Sequence, residues 1–233
     1  MSAMTKEEVK QSAEIKEKSN RNIFQEYSEA LVVAIILAIL IRALVVQAFK
    51  IPSSSMEPTL LVGDHILVSK FIYGIRIPFT DARWPRFKDP KTGDVIVFIY
   101  PEDRTKDFIK RVIAVGGDTV EVRNKHVFVN GKEVVIPQAR VFTRVIIPGY
   151  ENPRDNYGPV TVPKDHLFVM GDNRDYSQDS RFWGFVPVKD VKGEAFLIYY
   201  SSPFETRPTQ EEQAAGFRVS HVNRLGRFLN VIH

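Results

Sequence analysis

The chain has 233 residues, 44% of them apolar and 26% charged. That balance fits one large folded domain or two small ones, and it excludes wholesale disorder and a polytopic membrane protein. Cysteine is absent, which excludes disulfides, thiol nucleophiles and thiolate metal sites. The histidines at 65, 126, 166, 221 and 233 never fall within four residues of one another, so a helical His-x-x-x-His metal pair is excluded and neither metal nor cofactor is expected. The net charge of +4 is dispersed without a Lys/Arg block, the pattern of a solvated surface and not of a nucleic-acid site.

In chain order, residues 1–29 read as a cytoplasmic N-terminal segment. Residues 30–41, ALVVAIILAILI, are apolar without a break, and ALVVQAF (43–49) resumes after Arg42. A membrane-spanning helix needs about 20 mostly apolar residues, so 30–49 is read as a membrane anchor. A shorter alternative runs from near Tyr27 to Ile41, with Arg42 at the interface and a strand over 43–51. A buried core helix would show a polar face, which 30–41 lacks. Val46-Gln47-Ala48 mimics a leader cleavage site, but the 29 residues before the apolar run hold six acidic groups, unlike a short positive n-region. An uncleaved anchor fits better. Lys10, Lys16, Lys18 and Arg21 precede the run and only Lys50 follows closely, which places the N-terminus in the cytoplasm and residues 50–233 outside.

Residues 50–233 read as a mostly β, antiparallel domain. HILVSKF (65–71), DVIVFIY (94–100), DFIKRVIAV (107–115), DTVEVR (118–123), LFVM (167–170) and EAFLIYY (194–200) are short runs rich in branched and aromatic residues. HVFVNGKEVV (126–135) reads as a hairpin around Asn130-Gly131. Residues 136–165, with five prolines, read as an excursion from the sheet.

There is no G-x-S-x-G elbow, P-loop, H-E-x-x-H or S-x-x-K pattern, and the acidic loop at 171–181 lacks the glycine and glutamate of a calcium loop. Three features remain. IPSSSMEPTL (51–60) sets a serine cluster between Pro52 and Pro58, where a hydroxyl can be presented or where the chain simply turns. Lys110 alternates with Phe108, Val112 and Ala114 on one strand face, and Arg111 with Ile109 and Ile113 on the other. At least one basic residue therefore meets apolar neighbours, by snorkelling at an edge or by true burial. The third feature is GDNRDYSQDSR (171–181), a functional loop or a solvated turn held by an Asp–Arg pair. A serine hydroxyl needs a base. With histidine scarce, a desolvated neutral lysine can fill that role, a known variant of triad logic.

Together these blocks resemble the bacterial type I signal peptidases, the membrane-bound leader peptidases of the Ser-Lys class. The matching segments are IPSSSMEPTLLVGDHILVSKF (51–71), GDVIVF (93–98), DFIKRVIAVGGD (107–118) and GDNRDYSQDSRFWGFVP (171–187), in the family's order. The resemblance implies a barrel-like β catalytic domain behind one N-terminal transmembrane helix, ending near Ile41. It implies Ser55 as nucleophile, Lys110 as general base, Ser53 in the oxyanion hole and Ser177 as the serine orienting the lysine amine. It implies Asp179 and Arg181 as a structural pair, Asp172 and Arg174 in the same supporting loop, and Ile51, Pro52, Met56, Leu60 and Phe108 lining shallow pockets. The chain departs from the family in having Ser54 where glycine is frequent, and in showing one span where some relatives have two. Segment 201–233 matches least and receives no role.

What the resemblance implies functionally is acyl transfer to water without metal or cofactor. The partners would be the lipid bilayer and exported preproteins with small residues at −3 and −1, at the outer face of a bacterial cytoplasmic membrane. Competing readings are another Ser-Lys protease, such as a mitochondrial inner-membrane peptidase or a self-cleaving repressor, and a non-enzymatic membrane-tethered β module.

Overall fold

A computed structural model describes residues 25–39, 45–74, 87–202 and 224–232. The chain divides into two units, residues 1–45 and 46–233. In the first, helix α1 covers residues 25–39, and its apolar side chains, from Leu31 through Ile39, are exposed all round. No helix among the described residues is long and apolar enough to cross a membrane. The rest of the expected span, including Ile41 and Arg42, lies outside the described residues. The reading of a single helix through Phe49 does not hold, because Val46–Lys50 is strand β1. A chain of branched and aromatic residues after Arg42 takes the extended form that its composition favours.

The second unit is antiparallel β. Among the described residues its strands are β1, β2 (Asp64–Ser69), β3 (Val95–Ile99), β4 (Asp107–Val115), β5 (Thr119–Arg123), β6 (His126–Val129), β7 (Lys132–Glu133), β8 (Tyr157–Thr161), β9 (His166–Met170), β10 (Val186–Pro187), β11 (Val191–Ser201) and β12 (Asn230–Val231), with one four-residue helix, α2 (Ser180–Trp183). The main sheet runs β1-β2-β11-β3-β4-β9-β10, with β12 on β11; the smaller sheet runs β7-β6-β5-β8. The main sheet is open, with β1 and β10 at its ends. It is an open sheet in place of a closed barrel. Asn130 and Gly131 both adopt positive φ, as a two-residue hairpin between β6 and β7 requires.

The excursion at 136–165 is only partly one. It carries β8 back onto β5, and Arg140 bridges to Asn173. Strands β8 and β10 each contain a proline and are short or exposed, so they lack the alternation that marks a half-buried strand.

Three apolar clusters hold the domain. One joins Ile51, Met56 and Leu60 to Ile66, Val68, Val95, Val97 and Ile109. A second joins Phe98, Val112, Val169 and Val191, with Phe108 and Trp183 at its margin. The third, with Val120, Val122 and Phe168, takes in both Ile113 and Ala114. Simple alternation along β4 would put those two on opposite faces, but a register shift between Val112 and Ala114 against β9 adds a residue and resets the pleat. Each fully buried aliphatic side chain contributes about 1.5–3 kcal/mol, so the clusters fix β4 firmly.

Candidate active site

Pro52 and Pro58 keep the serine cluster out of the sheet, and the ladder between β1 and β2 ends just before it. Ile51 N–H donates to the Asp64 carbonyl at 2.8 Å, and Gly63 N–H returns to the Ile51 carbonyl at 2.9 Å. Between them Ser54–Met56 form a 3-10 turn, anchored in the first cluster by Met56, which is fully buried. Glu57 N–H closes on the Ser54 carbonyl and Leu60 N–H on that of Met56, at 3.0 and 2.9 Å.

The loop after β9 grips this turn. Asn173 donates its backbone N–H to the Ser55 carbonyl at 3.1 Å and its side-chain Nδ2 to the Ser54 carbonyl at 3.2 Å. Gly171 lies so close that a Cβ there would stand 2.3 Å from both the Ser55 carbonyl oxygen and Ser177 Oγ. Only glycine permits that approach.

Lys110 reaches the same place from β4. It pairs in register with Ile96 of β3, is 4% exposed, and sets its Nζ 2.7 Å from Ser55 Oγ. Nζ also donates to the Ile109 carbonyl at 3.0 Å and stands 5.5 Å over the Phe108 ring. Burial lowers its pKa from 10.5 to about 8; Asp179 and Asp172 pull the other way, and Arg181 adds to the fall. Desolvation wins because no carboxylate touches the amine.

The neighbouring Arg111 is buried as well, at 1% exposure, but is fully paired. Its Nε and Nη2 hold the two oxygens of Asp172 at 2.8 and 2.7 Å, and its Nη1 donates to the Gly93 carbonyl at 2.7 Å. Asp172 also accepts from Thr59 Oγ1. Asp179 and Arg181 form a second buried bidentate pair, both contacts at 2.8 Å. Burial would raise the Asp179 pKa, but the Arg181 charge and hydrogen bonds hold it below its ordinary value. Asp179 also accepts from Gly171 N–H at 3.0 Å, and Arg181 Nη2 donates to the Arg174 carbonyl at 2.9 Å.

Each residue singled out in the sequence has a definite place. Ser55, Lys110, Ser177, Asp172, Arg174, Asp179 and Arg181 are all buried and lie on the serine turn, β4 and the 171–181 loop. Ser53 and Pro52 are exposed beside the turn. Ile51, Met56 and Leu60 belong to the core, which leaves Pro52 and the half-buried Phe108 as the accessible members of the expected pocket set. Ser177 Oγ is buried and makes no hydrogen bond to Lys110 or to any other described residue, so the expected orienting bond to the amine is not formed, although Ser177 lies near enough to Asp179 to favour that carboxylate's charge. Burial, with Arg181 nearby, lowers Arg174 to about 10; its Nε and Nη2 lack partners among the described residues.

Sequence reasoning gave no role to Gly171, Asn173, Thr59 or the Arg111–Asp172 pairing. Gly171 and Asn173 stood inside a matching block, but nothing in a linear pattern says that a glycine touches a carbonyl 116 positions away. No group of three or more His, Asp or Glu able to hold a metal occurs among the described residues.

Comparison with known proteins follows the same lines. Residues 24–200 match the family described as signal peptidase, peptidase S26. The signal peptidase I of Pseudomonas aeruginosa is 36% identical over 80% of this chain and 76% of its own length. That of Aquifex aeolicus is 39% identical over 76% of this chain and 85% of its own. A crystal structure of a signal peptidase I from Enterococcus faecalis is 28% identical, with a TM-score of 0.37, covering 46% of this chain and 97% of that one. With a buried serine and lysine in contact, and with relatives of this identity over most of its length, the chain belongs to the S26 family of signal peptidases and is a peptidase of the signal peptidase I type.

Proposed function

We propose that this protein is a membrane-anchored endopeptidase that removes signal peptides from exported preproteins through a Ser55–Lys110 dyad. The carrying observation is the 2.7 Å contact between Ser55 Oγ and a lysine amine whose burial brings its pKa to about 8. A neutral amine at that distance can take the serine proton. Oγ then attacks the scissile carbonyl carbon, and the proton passes to Nζ. The oxyanion is held by the Ser53 hydroxyl and the Ser55 backbone N–H, each such donor contributing about 10²–10³-fold. The Lys110 ammonium returns its proton to the leaving amine as the C–N bond breaks. A water, deprotonated by Lys110 in turn, hydrolyses the ester.

Substrate geometry follows from β4. Its residues 107–110 pair with β3 on one side, whereas β9 pairs only from Arg111 onward. An extended substrate laid along that free edge would point its −1 and −3 side chains to one face. Small side chains at −1 and −3 would meet Pro52 and Phe108, the accessible members of the expected pocket set. The apolar run 30–41 anchors the protein in a bacterial cytoplasmic membrane with the N-terminus inside, and the exposed apolar surface of α1 supports this. The catalytic domain then works on the extracytoplasmic side.

The test is cleavage of a preprotein by the purified protein beside Ser55→Ala, Lys110→Ala and Lys110→Arg. All three variants should lose cleavage while remaining folded, because guanidinium does not deprotonate. Turnover by Lys110→Arg would remove Lys110 as base. Unaltered cleavage in all three would remove the dyad, and no cleavage by the parent itself would leave the domain as a binding module.

A further inference from the structure

Residues 224–232, to which no sequence pattern gave a role, pack beside the segment that follows the nucleophile turn. Strand β12 adds to β11, with Val231 opposite Leu197 and Asn230 opposite Ile198, and this brings the preceding 3-10 turn, Leu225–Arg227, against residues 59–64. There Asp64 is fully buried. It accepts from Arg227 Nη2 and, at 3.3 Å, from Arg227 Nε, from Ser201 Oγ and from Leu61 N–H at 2.8 Å. Arg224 Nη1 lies 3.7 Å from the same carboxylate and donates to the Val62 carbonyl at 3.0 Å.

Arg227 does more than neutralise Asp64. Its Nη2 also donates to the Thr59 carbonyl at 2.8 Å. Thr59 is thus held from both sides: its carbonyl by the C-terminal arginine, and its hydroxyl by Asp172, the carboxylate that takes Arg111 of the base strand. The next residue, Leu60, returns its N–H to Met56, one position beyond Ser55. A continuous polar chain therefore links the Leu225–Arg227 turn to the two segments whose separation is the Ser55–Lys110 contact.

We infer that residues 224–232 form a clasp that sets the position of the nucleophile turn, with Arg227 as its positioning residue. This rests on the Ser55–Lys110 reading for its kinetic consequence but not for its structural one. A carbonyl and a carboxylate are gripped by one planar guanidinium, which a point charge on a flexible stem cannot reproduce. If Thr59 is released, the turn drifts from β4. An ångström-scale misplacement of a nucleophile costs about 10²-fold in rate. Water reaching Lys110 would also weaken the desolvation that keeps its amine neutral, moving the acid limb of the rate profile to higher pH.

The test compares Arg227→Ala and Arg227→Lys with Arg104→Ala in the full-length protein. Arg104 makes an equally good bidentate pair with buried Asp190, at 2.8 and 2.7 Å, but in a part of the domain with no link to Thr59. Arg227→Ala should lower kcat by about 10²-fold with KM unchanged, and should shift the acid limb upward. Arg227→Lys should recover only part of the loss. Arg104→Ala should lower the unfolding temperature and leave kcat and the acid limb alone. Amide exchange read on the same proteins supplies an arm independent of activity: the Glu57 and Leu60 amides should exchange at least about 10-fold faster in Arg227→Ala and not in Arg104→Ala. Parental kcat and acid limb in Arg227→Ala would overturn the inference, as would an equal effect of Arg104→Ala. If the parent itself failed to cleave, the functional reading would fall, and unchanged protection at Glu57 and Leu60 would then overturn the clasp separately.

Discussion

Replacing Lys110 by Met should stabilise the protein near neutral pH and destabilise it in strong alkali. The lysine titrates near 10.5 when solvated and at about 8 when buried beside Ser55. Between those values the unfolded chain binds more protons than the folded one, so the stability of the unmodified protein rises with pH across that window. Below about pH 8 the folded state bears the full cost of either charging or neutralising the amine, ~3 kcal/mol for a drop of that size. Methionine removes this cost at similar volume. It also removes the hydrogen bonds to Ser55 Oγ and the Ile109 carbonyl, at about 1 kcal/mol each. The variant should therefore be more stable by ~1 kcal/mol near pH 7 and less stable by ~2 kcal/mol above pH 10.5. In a domain of this size the swing of ~3 kcal/mol corresponds to about 6–12 °C in Tm. Thermal unfolding of both proteins, followed by Trp183 fluorescence across that pH range, measures it. Parallel Tm curves with no crossing would refute a desolvated Lys110.

Gly171→Ala should abolish cleavage and lower stability, because the new methyl collides with the backbone carbonyl of Ser55; unaltered kcat with an unchanged Tm would show that the loop relaxes freely. Arg111→Ala strands the buried Asp172 carboxylate and should cost about 3–5 kcal/mol in chemical denaturation, part of which the apolar pair Arg111→Met with Asp172→Leu should recover. Ser177→Ala should slow cleavage less than Lys110→Ala does, since Ser55 and Lys110 remain in contact; a rate and acid limb identical to the parent's would make Ser177 an ordinary loop serine.

The strands of the domain were legible where one side faces the core and the other does not, as in β5 and the β6–β7 hairpin, and where a run of branched residues is buried on both faces, as in β4. β8 and β10 were not, because their prolines and exposure erase the period-2 signal, and the bulge in β4 leaves no mark in a linear pattern. Among site residues, Ser55 and Lys110 came from matching blocks and chemical elimination together, since neither a serine cluster nor a lysine on a strand is distinctive alone. The alternation on β4 indicated that a basic residue met apolar neighbours; in the fold both Lys110 and Arg111 do, and a bidentate carboxylate separates their fates. That partner, like Asn173 and Arg227, sits far away in sequence and becomes visible only when long-range contacts close.

The most direct test of the central claim is to trap the covalent intermediate. The purified protein is mixed with a preprotein, quenched in acid within one turnover, digested and examined by mass spectrometry for an acyl ester. The expected result is an adduct on Ser55 carrying the signal peptide's new C-terminus, absent from Ser55→Ala and from Lys110→Ala. An adduct on Ser53 or Ser54, or cleavage at the parental rate by Ser55→Ala, would contradict it.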